Sequence, residues 1–291
     1  MSCAVEFKNV TKTYGRAVAI KNVSLSLEAG KIYGLLGRNG SGKTTLVNLL
    51  CTQIIRDSGE INIFGQEVFE NETALEKLCL VKEKDLKIED YKVGRIFNIA
   101  GILYKNWDED YKEQLVKEFK LDTKKKYKNL SRGFKSVVGV IIGLASGAEI
   151  TIFDEPSLGL DAAVREKFYN LLLEQYEKSQ RTFILSTHLI DEVSSLFEEI
   201  ILLKNGEVLI QGEMASLLEK ACFLSGKEET IMSLVSKKNI IHKEFFGTTA
   251  IIGVLDEFTR AEIDDLKSNN IEISPMSLQK LFIYLTEEAE G

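Results

Sequence analysis

An eight-residue stretch near the start of the chain, Gly37 to Thr44, constrains the fold more than any other part of the sequence. It reads Gly-Arg-Asn-Gly-Ser-Gly-Lys-Thr and fits the pattern G-x-x-x-x-G-K-[ST] at every fixed position. An apolar run at 31–36 precedes it, and a run of helical character at 45–50 follows it. This order of strand, loop and helix is the context in which the pattern forms a phosphate-binding loop. The stretch therefore predicts a binding site for a nucleoside triphosphate.

Each residue type in this loop has a physical role toward phosphate. Glycine lets the loop close tightly, and backbone N–H groups at the start of the helix face the negative charge. Lys43 is predicted to reach the outer phosphates and to act in catalysis, and the hydroxyl of Thr44 is predicted to ligate Mg²⁺. The predicted nucleotide-binding residues of this segment are Gly37, Asn39, Gly40, Ser41, Gly42, Lys43, Thr44 and Thr45. The predicted cofactors are thus ATP and Mg²⁺.

A second motif follows further along the chain, where the apolar run 149–153 ends in Asp154 and Glu155. Such a β-branched run is typical of a core strand that delivers side chains to the C-terminal edge of a parallel sheet. Asp154 is predicted to hold magnesium, mostly through water, and Glu155 to orient and deprotonate an attacking water. An acidic pair alone is more common in solvated loops, but the phosphate-binding loop favours the ligand interpretation.

Four further features occur in order along the chain: Tyr14, the segment 130–134, the segment 156–161 and His188. Together with the loop and the acidic pair, they resemble the ATP-binding-cassette family over roughly residues 4–212. The resemblance implies that Tyr14 stacks on the adenine ring, that Asp161 reaches across a dimer interface and that His188 contacts the γ-phosphate. Without the resemblance, Tyr14 would fit an ordinary aromatic residue of a strand or loop.

The segment 130–134 reads LSRGF where the family has LSGGQ, so that Arg132 replaces a glycine and Phe134 a glutamine. Ser131 and Gly133 are retained, and a hydroxyl and a glycine at a helix start suit phosphate. Ser131 also suits a plain N-cap of the following helix, and the two roles are compatible. In this family the segment acts on ATP held by the partner's loop, so a single copy is expected to be catalytically incomplete. The resemblance thus implies a homodimer or a paired cassette subunit.

One family position differs in this chain. Aligning the run 78–81 with the strand that precedes a magnesium-contacting glutamine in the family puts Glu83 in the place of that glutamine. A carboxylate there is able to ligate Mg²⁺, but it adds negative charge near phosphate and donates no hydrogen bond unless it is protonated. A solvated run of charges at 82–85 is the other interpretation.

The composition argues against several classes of function. The formal net charge is −7, whereas sequence-independent binding to nucleic acid is driven by clustered Lys and Arg, so no nucleic-acid partner is expected. No run of eighteen or more apolar residues occurs, so no transmembrane helix is expected. The first residues lack the pattern of a signal peptide, which predicts a cytoplasmic location. The four cysteines have neither disulfide nor zinc spacing.

The predicted fold class is α/β: a P-loop NTPase core with an antiparallel β subdomain and a helical subdomain, plus a small α/β C-terminal appendix. The ATPase domain is expected at 1–212, with its helical subdomain at about 84–145, where apolar residues recur at helical spacing. The accessory domain is expected at 213–291. Its predicted elements are strands at 240–246, 250–254 and 271–274, a helix near Thr259 and a last helix after Pro275.

The resemblance is strongest to bacterial exporters of the ABC-2 type that move peptides, toxins or antimicrobial compounds, through the segments 106–108 and 130–134. It implies an ATPase subunit that drives an integral-membrane permease from the inner face of the cell membrane. The alternative is a soluble cassette ATPase serving translation or DNA maintenance, although such proteins usually carry two cassettes or long coiled coils. A nucleotide sensor without turnover is a third hypothesis, disfavoured by Lys43, Asp154, Glu155 and His188.

Overall fold

The computed structural model describes residues 2–82 and 89–287. The strands are β1 Cys3–Tyr14, β2 Ala17–Glu28, β3 Ile32–Leu36, β4 Ser58–Ile63, β5 Gln66–Glu67, β6 Leu78–Lys82, β7 Ile150–Asp154, β8 Thr182–Ser186, β9 Glu199–Lys204, β10 Glu207–Glu213, β11 Ala221–Lys227, β12 Ile240–Phe246, β13 Thr249–Leu255 and β14 Glu272–Pro275. The helices are α1 Lys43–Leu50, α2 Glu72–Leu75, α3 Val93–Leu103, α4 Glu109–Glu118, α5 Arg132–Ala145, α6 Ala162–Ser179, α7 Ile190–Val193, α8 Met214–Glu219, α9 Glu228–Leu234, α10 Arg260–Ser268 and α11 Leu278–Thr286.

The chain forms two compact units. The first comprises Met1–Leu189 and Ser195–Gln211, and the second comprises Ile190–Ser194 and Gly212–Gly291. Both units combine helices with sheets, and the fold class predicted from the sequence, α/β with a P-loop core, is confirmed.

A six-stranded sheet in the order β10-β9-β3-β8-β7-β6 forms the centre of the first unit. Strand β3 is parallel to both β8 and β9, and β7 is parallel to both β6 and β8. Strands β3 and β8 are buried at every position and β7 at all but its last. Burial on both faces explains why these strands are continuous apolar runs in the sequence. Their C-terminal ends lie side by side, and this edge positions the site.

A four-stranded antiparallel sheet in the order β2-β1-β4-β5 lies in the same unit. Buried residues alternate with exposed ones in the second half of β2, as the sequence indicates for a sheet with one solvent-exposed face. Its buried side chains join one core cluster with side chains of α1 and of the central sheet, among them Phe7, Leu46 and Ile152. The core therefore links this sheet to the helix that follows the P-loop.

Helix α5 is held at its C-terminal end by a buried arginine, Arg181. Its guanidinium donates to the carbonyl oxygens of Gly143, Leu144 and Ala148 at 2.7–3.0 Å. The last carbonyl groups of a helix have no partner within the helix, and here Arg181 satisfies those of Gly143 and Leu144. Burial lowers the pKa of Arg181 to about 10, which still leaves it charged at neutral pH. The contact fixes the helix whose other end begins after Ser131.

The second unit contains an antiparallel sheet in the order β12-β13-β11-β14. One cluster packs the sheet against α9 and α10 through Leu224, Ile231 and Leu266, and another packs it against α8 and α11. The structure has strands at the three predicted positions, and α10 begins after Thr259 with a full capping box. Strand β11 and helices α8 and α9 are elements that the sequence did not indicate. The segment 221–227 reads ACFLSGK, which lacks a clear alternation of apolar and polar residues.

Candidate active site

The phosphate-binding loop connects the central strand β3 to α1. Because β3 pairs with β8 on one side and β9 on the other, the loop leaves from the middle of the sheet. The N-cap of α1, Gly42, has φ 109° in the left-handed region. A Cβ atom at this position would lie 2.7 Å from the carbonyl oxygen of Ala19, so the position requires glycine. The first N–H groups of α1 have no partner within the helix, which suits this end to phosphate.

Lys43 folds back over its own loop. Its ammonium donates to the carbonyl oxygen of Gly37 at 2.5 Å and to that of Arg38 at 3.3 Å. Burial lowers the pKa of Lys43, and the negative charges of Glu155 and Asp154 oppose this shift. The lysine is thus a partly desolvated cation beside two acids, and a bound phosphate would add further negative charge that favours its protonated form.

The acidic pair and the histidine lie at the neighbouring strand ends. Asp154 ends β7 and pairs with Ser186 of β8 on one side and Lys82 of β6 on the other. Glu155 has φ 53°, an uncommon conformation for a non-glycine residue, and its N–H donates to the carbonyl oxygen of Ser186 at 2.8 Å. Its Oε2 lies 2.7 Å from Nδ1 of His188. The strained turn therefore aims the carboxylate of Glu155 at the histidine.

A cavity of about 290 Å³ lies between the loop and the acids, and we call it the P-loop groove. Its lining consists of Ala19, Arg38, Asn39, Gly40, Ser41, Gly42, Lys43, Thr44, Thr45, Asp154, Glu155 and Ser186. The structure thus brings together Asn39 to Thr45 and both predicted acids. His188 adjoins the groove through Glu155.

The donors in the P-loop groove fit a magnesium triphosphate. The hydroxyl oxygens of Ser41 and Ser186 are buried and have no hydrogen-bond partner among the described residues. An unpaired buried hydroxyl is costly, so both atoms are open to a ligand. The hydroxyl of Thr44 and the carboxylate of Asp154 are oxygen ligands of the kind that Mg²⁺ prefers. Positive charge for the phosphates comes from Lys43.

Ser131, Gly133 and Asp161 lie together in a second place, which we call the capped-helix surface. It comprises the start of α5 at 131–133 and the loop 157–161. Ser131 caps α5 by accepting from the N–H of Phe134 at 3.3 Å, and Asp161 caps α6 by accepting from the N–H of Val164 at 2.9 Å. The N-cap interpretation of Ser131 is therefore confirmed, and it leaves the phosphate role open.

The two parts of the capped-helix surface contact each other closely. A Cβ atom on Gly133 would lie 2.6 Å from the carbonyl oxygen of Gly159. The hydroxyl of Ser136 in α5 donates to the carbonyl oxygen of Leu158 at 2.6 Å. The guanidinium of Arg165 in α6 donates to the carbonyl oxygen of Leu160 at 2.9 Å and ties the loop to the start of α6. The start of α5 and the loop are thus held as one piece. Among the described residues, none of the capped-helix surface lines the P-loop groove.

Three predicted site residues remain. Gly37 does not line the P-loop groove formed by the described residues, and its carbonyl oxygen accepts from Lys43. Tyr14 ends β1 and is 50% exposed, and it does not line the P-loop groove formed by the described residues. Glu83 lies outside the described residues, so its predicted role at magnesium stays a prediction.

Ser186 and Ala19 are groove residues that the sequence analysis did not single out. Ser186 had a signal, because it ends an apolar run just before a second hydroxyl residue and His188. Ala19 had none, since its place depends on how β2 packs against Gly42 of the loop.

A separate apolar groove of about 250 Å³ lies between α3, β6 and α5. Its lining includes Leu80, Ile96, Ile99 and Ile142. At its rim, Leu103 is 70% exposed, and the neighbouring Ile102 is 84% exposed. Large apolar side chains that remain exposed in this way mark interaction surfaces.

The described part of the chain has neither a preformed cluster of metal ligands nor a helix suited to a membrane. In residues 2–82 and 89–287 no group of three or more His, Cys, Asp and Glu side chains is arranged to hold a metal ion by itself. Over the same ranges, no helix combines the length and apolarity that crossing a membrane requires.

The fold and the site define a P-loop ATPase. Residues 20–158 match the family described as ABC transporter. The chain carries the ATP-binding domain of the ABC transporter family, as its sequence motifs suggested.

Relatives and solved structures agree with this assignment. The ABC transporter ATP-binding protein YtrB of Bacillus subtilis (strain 168) is 25% identical over 282 residues, covering 96% of this chain and 97% of that protein. The Nod factor export ATP-binding protein I of Rhizobium johnstonii is 24% identical over 295 residues, covering 97% and 94%. A solved dimer of an ATP-binding cassette in a post-hydrolysis state, bound to ADP and Pi, has a TM-score of 0.64 and 27% identity, covering 72% of this chain and 98% of that one.

Proposed function

We propose that this chain is the ATP-binding and ATP-hydrolysing subunit of an ABC exporter, acting as a homodimer or with a paired cassette subunit. The observation that carries the proposal is the separation of two sets of site residues within one chain. Lys43, Asp154 and Glu155 share the P-loop groove, while Ser131 and Asp161 lie on the capped-helix surface. A second copy would supply its capped-helix surface to the first copy's groove. The solved cassette that resembles this chain is itself a dimer.

The proposed roles in the P-loop groove follow from charge and position. Lys43 and the N–H groups at the start of α1 hold the outer phosphates. Thr44 and Asp154 would hold Mg²⁺, which neutralises phosphate charge when bound. Glu155 accepts the proton of the attacking water. His188 holds the carboxylate of Glu155 at 2.7 Å and is proposed to contact the γ-phosphate.

The capped-helix surface is proposed to complete the pocket from the partner side. The hydroxyl of Ser131 and the N–H groups at the start of α5 face the γ-phosphate, and Gly133 allows the backbone to approach it. Asp161 reaches the interface from the adjoining loop. ATP would then bind the closed dimer better than the open one, so that binding closes the pair and hydrolysis releases it.

The apolar groove between α3, β6 and α5 supports a membrane partner. We assign it to a short helix of an integral-membrane permease, because Leu103 and Ile102 leave a large apolar surface exposed there. Docking at this groove would place the subunit at the inner face of the cell membrane. Domain closure on ATP would then move the permease between its states.

Export is supported by the relative named for Nod factor export, which matches this chain over nearly its whole length. The proposed cargo is a peptide, a toxin or an antimicrobial compound, on the resemblance of the segments 106–108 and 130–134 to ABC-2-type exporters. No nucleic-acid partner is proposed.

The substitution Glu155→Gln tests the proposal. It removes the base but keeps the size and an acceptor for His188, so ATP should still bind while turnover falls by about 10²–10⁴-fold. Magnesium ATP should then trap a dimer, seen as a doubled mass by size-exclusion chromatography with light scattering. A variant that binds ATP but stays monomeric at all protein concentrations would contradict the proposal.

Recovery from native membranes tests the transport part of the proposal. Purification of the tagged chain should bring down an integral-membrane protein, and Leu103→Glu should reduce this recovery because a charge enters the apolar groove. Gln114→Glu, which adds the same charge at an exposed position of α4, is the matched control. Repeated recovery of ribosomes or DNA without a membrane protein would favour the soluble ATPase of translation or DNA maintenance.

A further inference from the structure

The last part of β1 extends beyond its pairing with β4. The ladder between these strands ends where Thr11 pairs with Ser58, and the pairing of β1 with β2 is irregular on both sides of Lys12. A strand that has lost a neighbour presents unpaired backbone groups on that side. Tyr14, at the end of β1, is 50% exposed, so packing alone does little to fix its ring.

Asp57, the residue before β4, makes hydrogen bonds to the part of β1 that β4 no longer pairs with. Its backbone N–H donates to the carbonyl oxygen of Thr11 at 2.9 Å. Its carboxylate accepts from the backbone N–H and from the hydroxyl of Thr13, each at 2.6 Å, and from the ammonium of Lys12 at 3.0 Å. Hydrogen bonds to an ionised acceptor are roughly twice as strong as neutral ones. The hydroxyl of Thr13 and then Lys12 lower the pKa of Asp57 to about 2, so the carboxylate stays charged at neutral pH.

Two of the residues that Asp57 contacts, Thr13 and Lys12, adjoin Tyr14. Thr13 is its neighbour in the chain, and the ammonium of Lys12 lies 5.6 Å from the centre of the Tyr14 ring, within cation–π range. Across the hairpin Tyr14 pairs with Ala17, two residues before Ala19, which lines the P-loop groove. Two residues of a strand span about 7 Å. The end of β1 therefore lies close to the groove, on the side of Ala19.

We propose that Asp57 is a positioning residue for base recognition, which fixes the end of β1 so that the ring of Tyr14 meets the adenine ring of ATP. The inference rests on the proposed function as an ATPase and on the adenine-stacking role that the family resemblance implies for Tyr14. Asp57 touches β1 and is not part of the lining of the P-loop groove. Substituting Asp57 should therefore weaken binding of the adenine base without changing binding of the phosphates. A general loss of stability would weaken both.

The experiment compares two ligands, magnesium ATP and magnesium tripolyphosphate, by isothermal titration calorimetry on the full chain. Tyr14→Ala should weaken ATP binding by about five- to hundredfold, the range of stacking on one aromatic ring. Asp57→Ala should weaken ATP binding by about three- to tenfold, because the hydrogen bonds that it removes hold β1 and do not contact the ligand. Neither variant should change the affinity for tripolyphosphate. The double variant should bind ATP no more weakly than Tyr14→Ala alone, because both changes act through one contact.

Two further variants control the measurement. Asp57→Asn keeps an acceptor for the N–H of Thr13 and should recover part of the lost affinity. Asp122→Ala removes a similar exposed carboxylate, which accepts from the N–H of Lys124 at 3.0 Å, and should leave both ligands unaffected.

The possible failures are distinguishable. If Tyr14→Ala weakens ATP binding but Asp57→Ala does not, or if Asp57→Ala weakens both ligands equally, the inference on Asp57 is wrong and the proposed function stands. If Tyr14→Ala leaves ATP binding unchanged, the adenine role of Tyr14 is wrong, and the inference on Asp57 falls with it.

Discussion

The P-loop groove and the capped-helix surface differ in how complete each is within one chain. The groove has a lysine, two acids and two buried hydroxyls that meet in a single cavity at the edge of the central sheet. The capped-helix surface has two helix starts locked to each other, but Ser131 is exposed and Phe134 is 41% exposed. The groove is a complete cavity, whereas the capped-helix surface is exposed to solvent, so the two require different partners. The groove needs a nucleotide, and the capped-helix surface needs a second molecule.

The substitution expected to have the largest effect is Lys43→Ala, in the groove. It removes the cation beside Asp154 and Glu155, and interactions with charged groups are worth about 1.5–3 kcal/mol each. ATP affinity should fall by about a hundredfold and turnover should be lost. Lys178→Ala, at the exposed end of α6, is the matched control and should change neither. Unchanged ATP binding in Lys43→Ala, measured by calorimetry, would show that the groove is not the phosphate site.

On the capped-helix surface, Ser131→Asp separates capping from phosphate contact. Aspartate is as good an N-cap as serine, so α5 should remain intact. Its charge would face the γ-phosphate of a partner's ATP, and two like charges about 4 Å apart near a protein surface repel by roughly 4 kcal/mol or less. Turnover should fall by about ten- to hundredfold, while ATP affinity of the dilute single chain should not change.

The neutral cap Ser131→Asn controls for the shape of the side chain and should retain much more turnover than Ser131→Asp. Equal turnover in the two variants and the unmodified protein would show that this surface never meets phosphate.

A smaller effect is expected where the two parts of the capped-helix surface are joined. Ser136→Ala removes the 2.6 Å hydrogen bond to the carbonyl oxygen of Leu158, worth about 0.5–1.5 kcal/mol. When Ser136→Ala is added to Glu155→Gln, dimer formation with magnesium ATP should weaken by about two- to tenfold. Ser179→Ala removes a bond of the same length, to Gln175, far along α6 and serves as the control. If the two variants dimerise alike in light scattering, the junction does not position the surface.

The smallest expected effect is the pH dependence of ATP binding. Because burial lowers the pKa of Lys43, the free protein loses this proton at a lower pH than an ordinary lysine does. Phosphate favours the charged form, so ATP affinity should fall as pH rises through the pKa of the free protein. Lys43→Arg, which stays charged, should bind with a flatter profile as the pH is raised above neutral. Parallel profiles for the two proteins would exclude Lys43 as the titrating group.

The P-loop groove was largely predictable from sequence because its residues come in contiguous blocks. The glycine-rich loop specifies its own backbone, and an apolar run such as 150–153 signals a buried strand that carries Asp154 to a known edge of the sheet. Such runs also favour a parallel arrangement of their strands, whereas the order of the strands in the sheet was not predicted. The fold class followed from the same runs.

Contacts between distant segments could not be predicted in this way. Asp57 meets Thr13 across 44 positions, and Ser136 meets Leu158 across 22, and no local pattern marks either pair. The buried Arg181 reads as a surface charge in the sequence, yet it caps the end of α5. Strand β11 was missed because its central place in the second sheet depends on β13 and β14 pairing with it.

The most direct test mixes an inactive variant, Lys43→Ala, with an impaired one, Ser131→Asp. Each alone should form only defective pockets, because one lacks the lysine and the other repels phosphate. In a mixed dimer, one pocket would combine the intact Lys43 of one copy with the intact Ser131 of the other. The account predicts that mixing restores ATP hydrolysis well above the sum of the separate variants. Hydrolysis that stays at that sum, although sequential purification through a different tag on each variant recovers mixed dimers, would contradict the claim that two copies share each pocket.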